Sequence, residues 1–302
     1  TGLSIQNKWG KEECNVAMYY FRQAIMNDSN FALAYAGLAN AHYFSTWERW
    51  VDVKTGRNKT EHYAKKALEI DSTLAEAYTV MAGVYQELDL NFQKAEQFYK
   101  KAIDLNPNYS IAYQYYAEFL YTMGKLEEAR EMINKAIQLD PYSFMIRLVS
   151  TGVYFQEKNY QQALSEIKIC QALAKNAMGT ISKELSIHIK TGNSSAALET
   201  YKKLGLLTGE WTPDFADSLF YSDGINGLIK YILQLVNWSY FIIEAHYYTF
   251  LGEKNSALDF LEHALEEGYL APVNTADFEF EDLCSEPRFI AIREKMGLPP
   301  LK

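Results

Sequence analysis

The chain has 302 residues, of which 48% are hydrophobic and 22% charged, so it can bury a sizeable core. Its net charge of -9 argues against a general nucleic-acid or anionic-membrane binder, because contacts to phosphate need a basic face. The three cysteines are odd in number and far apart, which favours buried thiols over disulfides and a reducing compartment. We therefore expect a cytoplasmic location, or a periplasmic one if the chain is attached to a membrane-spanning regulator.

Neither a leader nor a membrane span is predicted. No secretory n-region and h-region opens the chain. The most apolar window, residues 227–248, contains Lys230, Gln234, Asn237 and Glu244, which is unlike a spanning helix. The sequence starts at Thr1 without a methionine, so we expect it to be part of a longer protein.

A pattern of small and large residues recurs along most of the chain. Its form is Ala-x-x-x-Φ-x-x-Ala, followed five residues later by Pro or Ser, and its two clearest copies end at Pro107 and Pro141, 34 residues apart. The first position of each copy is held in chain order by Ala17, Thr60, Ala95, Ala129, Ala163, Ala197 and Ala257. The copies become weaker toward the C-terminus.

A second apolar pattern precedes most of these copies, and together the two predict pairs of helices. Tyr78, Met81, Ala82 and Tyr85 follow the i, i+3, i+4, i+7 spacing of one helix face. Left-handed turns are expected at Gly124, Gly192 and Gly252. Small residues such as Ala129 and Ala136 allow two helices to approach closely. Since one pair cannot bury its apolar face alone, at least about three must stack.

A 34-residue helical pair with small residues at Ala117, Ala129 and Ala136 and a closing Pro141 resembles the tetratricopeptide repeat. The resemblance covers residues 14–205 and returns in an isolated unit at 238–267. It implies an all-α fold, a right-handed α-α superhelix with irregular C-terminal helices. The predicted domains are a repeat solenoid of five to six pairs over 1–205, an irregular helical segment over 206–237, and a last helical pair with a capping tail over 238–302.

Three segments depart from the repeat. We predict that the insertion at 47–58 is a surface loop, in which Trp47 and Trp50 are either pinned to the stack or free for a partner. The break at 205–237 is predicted to contain a helix near Asp223–Leu235 that replaces a missing repeat, with Leu228, Tyr231, Ile232 and Leu235 on its apolar face. The acidic cluster at 277–282 is interpreted as a solvated turn with Phe278 and Phe280 tucked beneath it.

No catalytic, cofactor or metal site is predicted. The five histidines lack metal-ligand spacing, and phosphate-binding glycine motifs are missing from the sequence. His42, His188 and His246 fall on inner positions of first helices and are interpreted as packing residues. Cys170 occupies a small-residue contact position in place of alanine. The acidic cluster lacks the glycine and regular ligand positions of a calcium loop.

The first helix of each pair is expected to line the concave face of such a stack and to form a partner-binding groove. Side chains predicted to face the groove are Thr79, Gly83, Gln86, Glu87, Gln114, Tyr115, Glu118, Tyr121, Leu148 and Phe155. In related domains that grip a C-terminal carboxylate, lysine and asparagine recur on this face, and the matching positions here hold neither. A second interpretation is that a flanking segment of the chain itself fills the groove.

A narrower resemblance links the run at 102–143 and the ending at 281–299 to bacterial regulators that carry a repeat array behind another domain. In that group the leading domain is a winged-helix DNA binder, a nucleotide cyclase or a kinase. The resemblance suggests a context and not an activity of this chain. From the repeat and the lack of a catalytic constellation we expect a protein or peptide partner and no enzymatic activity, and from the net charge no direct nucleic-acid contact by this region; the oligomeric state is open. The alternatives are a small-molecule or sugar sensor, or the non-catalytic part of an enzyme such as a nucleotide cyclase.

Overall fold

The computed structural model describes residues 10–174, 178–235, 241–268, 270–276 and 278–301. Within these ranges the chain forms α-helices and two short 3-10 segments and contains no strand, which confirms the predicted all-α class. The helices in chain order are α1 Lys11–Asn27, α2 Ala32–Trp47, α3 Val53–Ile70, α4 Ala75–Glu87, α5 Phe92–Leu105, α6 Ser110–Thr122, α7 Leu126–Leu139, α8 Phe144–Gln156, α9 Tyr160–Leu173, α10 Met178–Lys190, α11 Ser194–Thr208, α12 Pro213–Leu235, α13 Phe241–Phe250, α14 Lys254–Glu266 and α15 Pro287–Lys295.

The turns between paired helices follow from local chemistry. The predicted left-handed residues are confirmed, with φ of 75° at Gly124 and 69° at Gly192. Asn91 and Asn193 begin second helices by accepting hydrogen bonds from the backbone N–H three residues later, at 3.1 and 3.2 Å. These devices end one helix and start the next within a few residues, so consecutive helices form tight pairs.

The chain forms two compact units, residues 1–119 (unit 1) and 120–302 (unit 2), and the division falls inside α6. In unit 1, α2 packs against α3 and α4 against α5, while α1 covers one side of α2. Ala64, Ala67, Ala95 and Ala102 are fully buried. The small residues therefore lie at helix contacts, where the repeat pattern predicts them.

Unit 2 repeats this construction and ends differently. The pairs α8/α9, α10/α11 and α13/α14 are each in contact, and Ala129, Ala136, Ala163 and Cys170 are fully buried. Cys170 thus occupies an alanine position, as predicted. Two 3-10 segments, Pro272–Ala276 and Phe278–Leu283, and then α15 follow the last pair; we refer to these three elements as the C-terminal segment.

The helix predicted near Asp223–Leu235 is confirmed. It forms the second part of α12, which bends at Gly224 where φ is 63°. Leu228 and Ile232 are buried in a core with Tyr201 and Trp211. Leu235 is 39% exposed, so the buried face of this helix is one turn shorter than predicted.

The insertion is only partly a loop, contrary to prediction. Residues 53–58 belong to α3, because Asp52 accepts a hydrogen bond from the backbone N–H of Thr55 at 2.9 Å and so caps the helix. Trp50 packs edge-on against Phe44, with ring centroids 5.5 Å apart. Trp47 also contacts Phe44 but remains 44% exposed. The insertion is therefore pinned to the stack through Trp50.

No helix among the described residues has the length and apolar character to cross a membrane.

Candidate partner-binding site

A group of tyrosines and glutamates converges in unit 1. Tyr43 comes from α2, Glu87 from α4, Tyr99 from α5, and Tyr115 and Glu118 from α6. We call these five residues the tyrosine–glutamate cluster. The rings of Tyr43 and Tyr115 lie 6.1 Å apart, and the Tyr115 hydroxyl donates to Asn40 Oδ1 at 3.3 Å.

Gly83 allows this close packing. A Cβ atom at this position would lie 2.7 Å from the ring of Tyr43, which is closer than real Cβ contacts. The ring therefore lies directly on the backbone of α4. The missing side chain brings the aromatic ring of one repeat over the first helix of the next.

A chain of hydrogen bonds runs beneath the cluster. The Tyr99 hydroxyl donates to Gln86 Oε1 at 2.9 Å, and Gln86 Nε2 donates to Glu87 Oε1 at 2.6 Å. The other carboxyl oxygen, Glu87 Oε2, is shut off from solvent and has no hydrogen-bond partner. A buried oxygen without a donor is costly. Glu87 is thus the one cluster residue with a solvent-shielded polar atom that lacks a hydrogen-bond partner.

Burial and negative charge both act on the protonation of Glu87. Its burial, and next the nearby carboxylate of Glu118, raise the pKa of Glu87 to about 8, while the hydrogen bond from Gln86 opposes the shift. Burial also raises the pKa of Tyr43 and of Tyr99, with the two carboxylates as secondary causes. At neutral pH the Glu87 carboxyl is therefore mainly protonated.

The ten residues predicted to face the groove divide into two sets. The half-buried ones are Glu87, Tyr115, Glu118, Tyr121 and Leu148. The buried ones are Thr79, Gly83, Gln86, Gln114 and Phe155.

The buried members of that set are held by contacts within the fold, so in this conformation they present no side-chain surface to a partner. The Thr79 hydroxyl donates back to the carbonyl oxygen of Ala75 at 3.0 Å. The Phe155 ring packs edge-on against Tyr160, 4.8 Å away, in the core of its own helical pair. Gln86 is engaged by Tyr99 and Glu87. The binding role predicted for the half-buried set stays a prediction.

Three residues of the site were missed by sequence reasoning. Asn40 and Tyr43 stand five and eight residues after Tyr35, and Gly83 and Gln86 stand in the same places after Tyr78. Counting the groove-facing positions along α2 in the same way would therefore have included Asn40 and Tyr43. Tyr99 lies on a second helix, at the large position of the repeat pattern, where its ring was expected to serve packing alone.

In unit 2, unlike unit 1, the C-terminal segment contacts the ends of first helices. Glu281 pairs with Lys158, which follows α8, at 2.6 Å and with Lys190, the last residue of α10, at 3.2 Å. The Phe280 ring is fully buried and lies 4.5 Å from the ring of His246 in α13. The C-terminal segment thus packs against these helix ends, while the interpretation that a flanking segment fills the groove stays a prediction.

The acidic cluster of that segment is not the solvated turn predicted from sequence. Glu279 is only 4% exposed, and Glu281 and Asp282 form ion pairs with lysines. Phe280 is buried as expected, whereas Asp277 and the side chain of Phe278 lie outside the described residues. No group of three His, Cys, Asp or Glu side chains within the described ranges is arranged to hold a metal ion.

Comparison with known proteins agrees with this architecture. Residues 91–143 match the tetratricopeptide repeat family model. A curated relative, the transcriptional regulator HilA of Salmonella paratyphi A, is 25% identical over 135 residues, which is 45% of this chain and 24% of that protein. The matched region thus spans about a quarter of the length of that relative.

Two solved structures resemble the fold at low identity. The human IFIT1 dimer with m7Gppp-AAAA has a TM-score of 0.58 and 16% identity, covering 88% of this chain and 70% of that one. PilW, a type IV pilus biogenesis factor, has a TM-score of 0.50 and 15% identity, covering 78% of this chain and 97% of that one. At such identity these likenesses concern the fold alone. The chain thus has the stacked helical pairs of a tetratricopeptide-repeat fold, and residues 91–143 match the model of that family.

Proposed function

We propose that this chain is a non-catalytic interaction module that binds a protein or peptide segment at the tyrosine–glutamate cluster. The observation that carries the proposal is the convergence of half-buried Tyr43, Glu87, Tyr115 and Glu118 from three successive first helices of unit 1. Tyrosine is a frequent binding hot spot because it buries a large area at little cost in side-chain entropy. Repeat stacks form extended surfaces suited to such segments.

The contrast between the two units supports this location. In unit 2 the ends of α8 and α10 are engaged by Glu281 and Asp282 of the C-terminal segment. In unit 1 the cluster keeps partial solvent access at all of its residues except Tyr99, which is 2% exposed. A partner therefore finds aromatic and acidic side chains within reach at this site.

The wider role that we propose is within a bacterial transcription-regulatory or signalling protein. The supporting observations are the match to a transcriptional regulator over 45% of this chain and the resemblance of its ending to such proteins. In this role the module contacts a protein, or another domain, and leaves nucleic acid to other parts of the molecule. The net charge of -9 agrees with that division, since phosphate binding needs a basic surface. A cytoplasmic location belongs to the same proposal.

The proposal is tested with a phage-displayed library of random 12-residue peptides selected on the immobilised 302-residue chain. Peptides are expected to enrich, and Tyr115→Ala or Glu118→Lys should weaken their binding at least tenfold. Tyr19→Ala is the matched control, because Tyr19 is 57% exposed in unit 1 and lies outside the cluster. Circular dichroism melting confirms that each variant is folded.

Two outcomes contradict the proposal. One is selected peptides that bind the Tyr115→Ala and Tyr19→Ala variants equally well. The other is a library that yields no binder while a thermal-shift screen finds a metabolite or sugar that stabilises the chain, since a ligand at 100 times its dissociation constant adds about 2.7 kcal/mol to the free energy of unfolding. That second result favours the sensor alternative.

A further inference from the structure

We infer that the tyrosine–glutamate cluster receives the guanidinium group of an arginine side chain from the bound segment. This inference rests on the proposed function and names the chemistry of the partner. Three features of the cluster carry it: an unsatisfied carboxyl oxygen, a second carboxylate, and two tyrosine rings beside them.

The unsatisfied oxygen is Glu87 Oε2. Its partner oxygen Oε1 already accepts a hydrogen bond from Gln86 at 2.6 Å, so the side chain is held in place with one acceptor left over. A guanidinium carries five N–H donors in a planar fork that matches a carboxylate. Oε2 is shielded in this conformation, but the residue as a whole keeps partial solvent access, so the inference includes a turn of the carboxyl group that presents Oε2 to the arginine. Arginine then supplies the donor that the free protein lacks.

The second carboxylate and the rings make this position favourable for a cation. After burial, the carboxylate of Glu118 is the next cause of the raised pKa of Glu87, so it supplies a second negative charge to this site. Tyr43 and Tyr115, with ring centroids 6.1 Å apart, border the same site. Planar guanidinium groups stack on aromatic faces and gain cation–π attraction there. Once Glu87 has lost its proton, a cation also offsets the repulsion between the two carboxylates.

Arginine is favoured over lysine by the same geometry. An ammonium is a compact and strongly hydrated charge, which loses more on leaving water and does not stack on a ring face. The site offers flat aromatic surfaces and two carboxyl groups, which the several N–H donors of one planar guanidinium can reach together. The inference therefore commits to a guanidinium.

Binding is expected to be linked to a proton. The groups that act on Glu87 are Gln86 on its own helix, Tyr43 on α2, Tyr99 on α5 and Glu118 on α6. Tyr115 on α6 lies beside Tyr43 and Glu118. The pKa of Glu87 is about 8 in the free protein, so arginine must displace a proton at neutral pH. Affinity then rises about tenfold per pH unit between pH 6 and pH 8 and levels off above, while the arginine stays charged throughout.

The test uses N-acetyl-arginine amide as the probe, titrated into the full chain and followed by NMR chemical shifts at pH 6 and pH 8.5. N-acetyl-citrulline amide is the neutral isostere, and N-acetyl-lysine amide is the competing cation. We expect saturable shifts with the arginine probe, at least tenfold weaker binding of the other two, and tighter arginine binding at pH 8.5. Glu87→Gln should weaken arginine binding at least tenfold and abolish its pH dependence.

Two further variants separate a specific role from a general loss of charge. Glu118→Gln removes the neighbouring charge that raises the pKa of Glu87, so its arginine affinity should level off at a lower pH than in the parent. Glu12→Gln, an exposed carboxylate of α1 in the same unit, should leave affinity and pH profile unchanged.

The outcomes distinguish this inference from the proposed function. Equal binding of the arginine and citrulline probes, or no binding of either, overturns the inference, and equal binding of the lysine probe overturns the guanidinium assignment. If library peptides without arginine still require Tyr115, the proposed function stands and the inference falls. If arginine binds through Glu87 while no peptide requires Tyr115, the cluster is a cation site and the proposed function fails.

Discussion

Arg293 Nη2 donates a hydrogen bond to the carbonyl oxygen of Thr122 at 3.0 Å, across 171 residues of sequence. Thr122 ends α6, where helix carbonyls lack partners within the helix. The same guanidinium also donates to the Oγ1 of Thr275 at 2.6 Å and to the carbonyl oxygen of Pro299 at 2.9 Å. Arg293 is 1% exposed, and its burial lowers its pKa to about 10. One side chain thus ties the C-terminal segment to the first helix end of unit 2.

Replacing Arg293 by Met should destabilise the protein by about 3 kcal/mol, because several buried acceptors lose their donor at once. Arg288→Met is the control on the same helix. Arg288 pairs with Asp259 and Glu262 at the surface, where such pairs contribute about 0–1 kcal/mol. Urea denaturation measures both. Equal losses in the two variants would mean that Arg293 does not hold the segment in place.

Two helical glycines should respond oppositely to alanine. A Cβ at Gly205 in α11 would overlap the indole of Trp211, whose Nε1–H donates to the carbonyl oxygen of Tyr201 at 3.1 Å. Gly205→Ala is therefore expected to cost about 1–3 kcal/mol. At Gly152 in α8 no atom lies within 4 Å of the added Cβ, so Gly152→Ala should stabilise by about 0.5–1 kcal/mol. Thermal melting compares the two, and a stabilised Gly205→Ala would show that Trp211 moves without cost.

His42 should make the protein sensitive to mild acid. It is 3% exposed, stacks on Tyr63 at 5.5 Å, and neither ring nitrogen has a hydrogen-bond partner. Burial, assisted by the charges of Lys59 and Arg22, lowers its pKa from 6.5 to about 4. Between pH 6.5 and pH 4, His42 is protonated in the unfolded chain but stays neutral in the folded one. Stability should therefore fall by about 3 kcal/mol between pH 6.5 and pH 4 through this group.

The comparison for His42 is a set of urea titrations from pH 7 to pH 4. His42→Phe keeps the stacking and should lose about 3 kcal/mol less than the parent over that range. His62→Phe, at an exposed position of the same unit, should keep the parental profile. If the free energy of unfolding of His42→Phe falls with pH as steeply as that of the parent, His42 is protonated in the folded state as readily as in the unfolded chain.

Ala129 should tolerate no larger side chain. It is fully buried in α7, so Ala129→Leu is expected to destabilise by about 1–3 kcal/mol through overpacking. Glu131→Leu places the same residue two positions later at an exposed site and should stay within about 0.5 kcal/mol of the parent. If the melting temperature drops equally in both variants, Ala129 does not mark a position where two helices approach closely.

The sequence alone determined the helical pairs, their turns and their contact positions. These depend on neighbours within one or two helical turns: Gly124 ends a helix because it adopts a positive φ, and Ala129 faces a contact because the repeat spacing places it there. The helix at the end of α12 was predictable for the same reason. The start of α3 was missed because a single cap, Asp52, extends a helix into a segment that has no repeat pattern.

The tertiary structure alone decided which polar groups are buried and what they meet. Tyr43 and Glu87 come from different repeats, and only the stacking of α2 on α4 brings them together. The burial that results is the main reason why the pKa of Glu87 rises to about 8. Likewise, nothing near Arg293 in sequence indicates Thr122 as its acceptor. Helix patterns are set by short-range spacing, whereas desolvation and charge at a site depend on atoms brought together from distant parts of the chain.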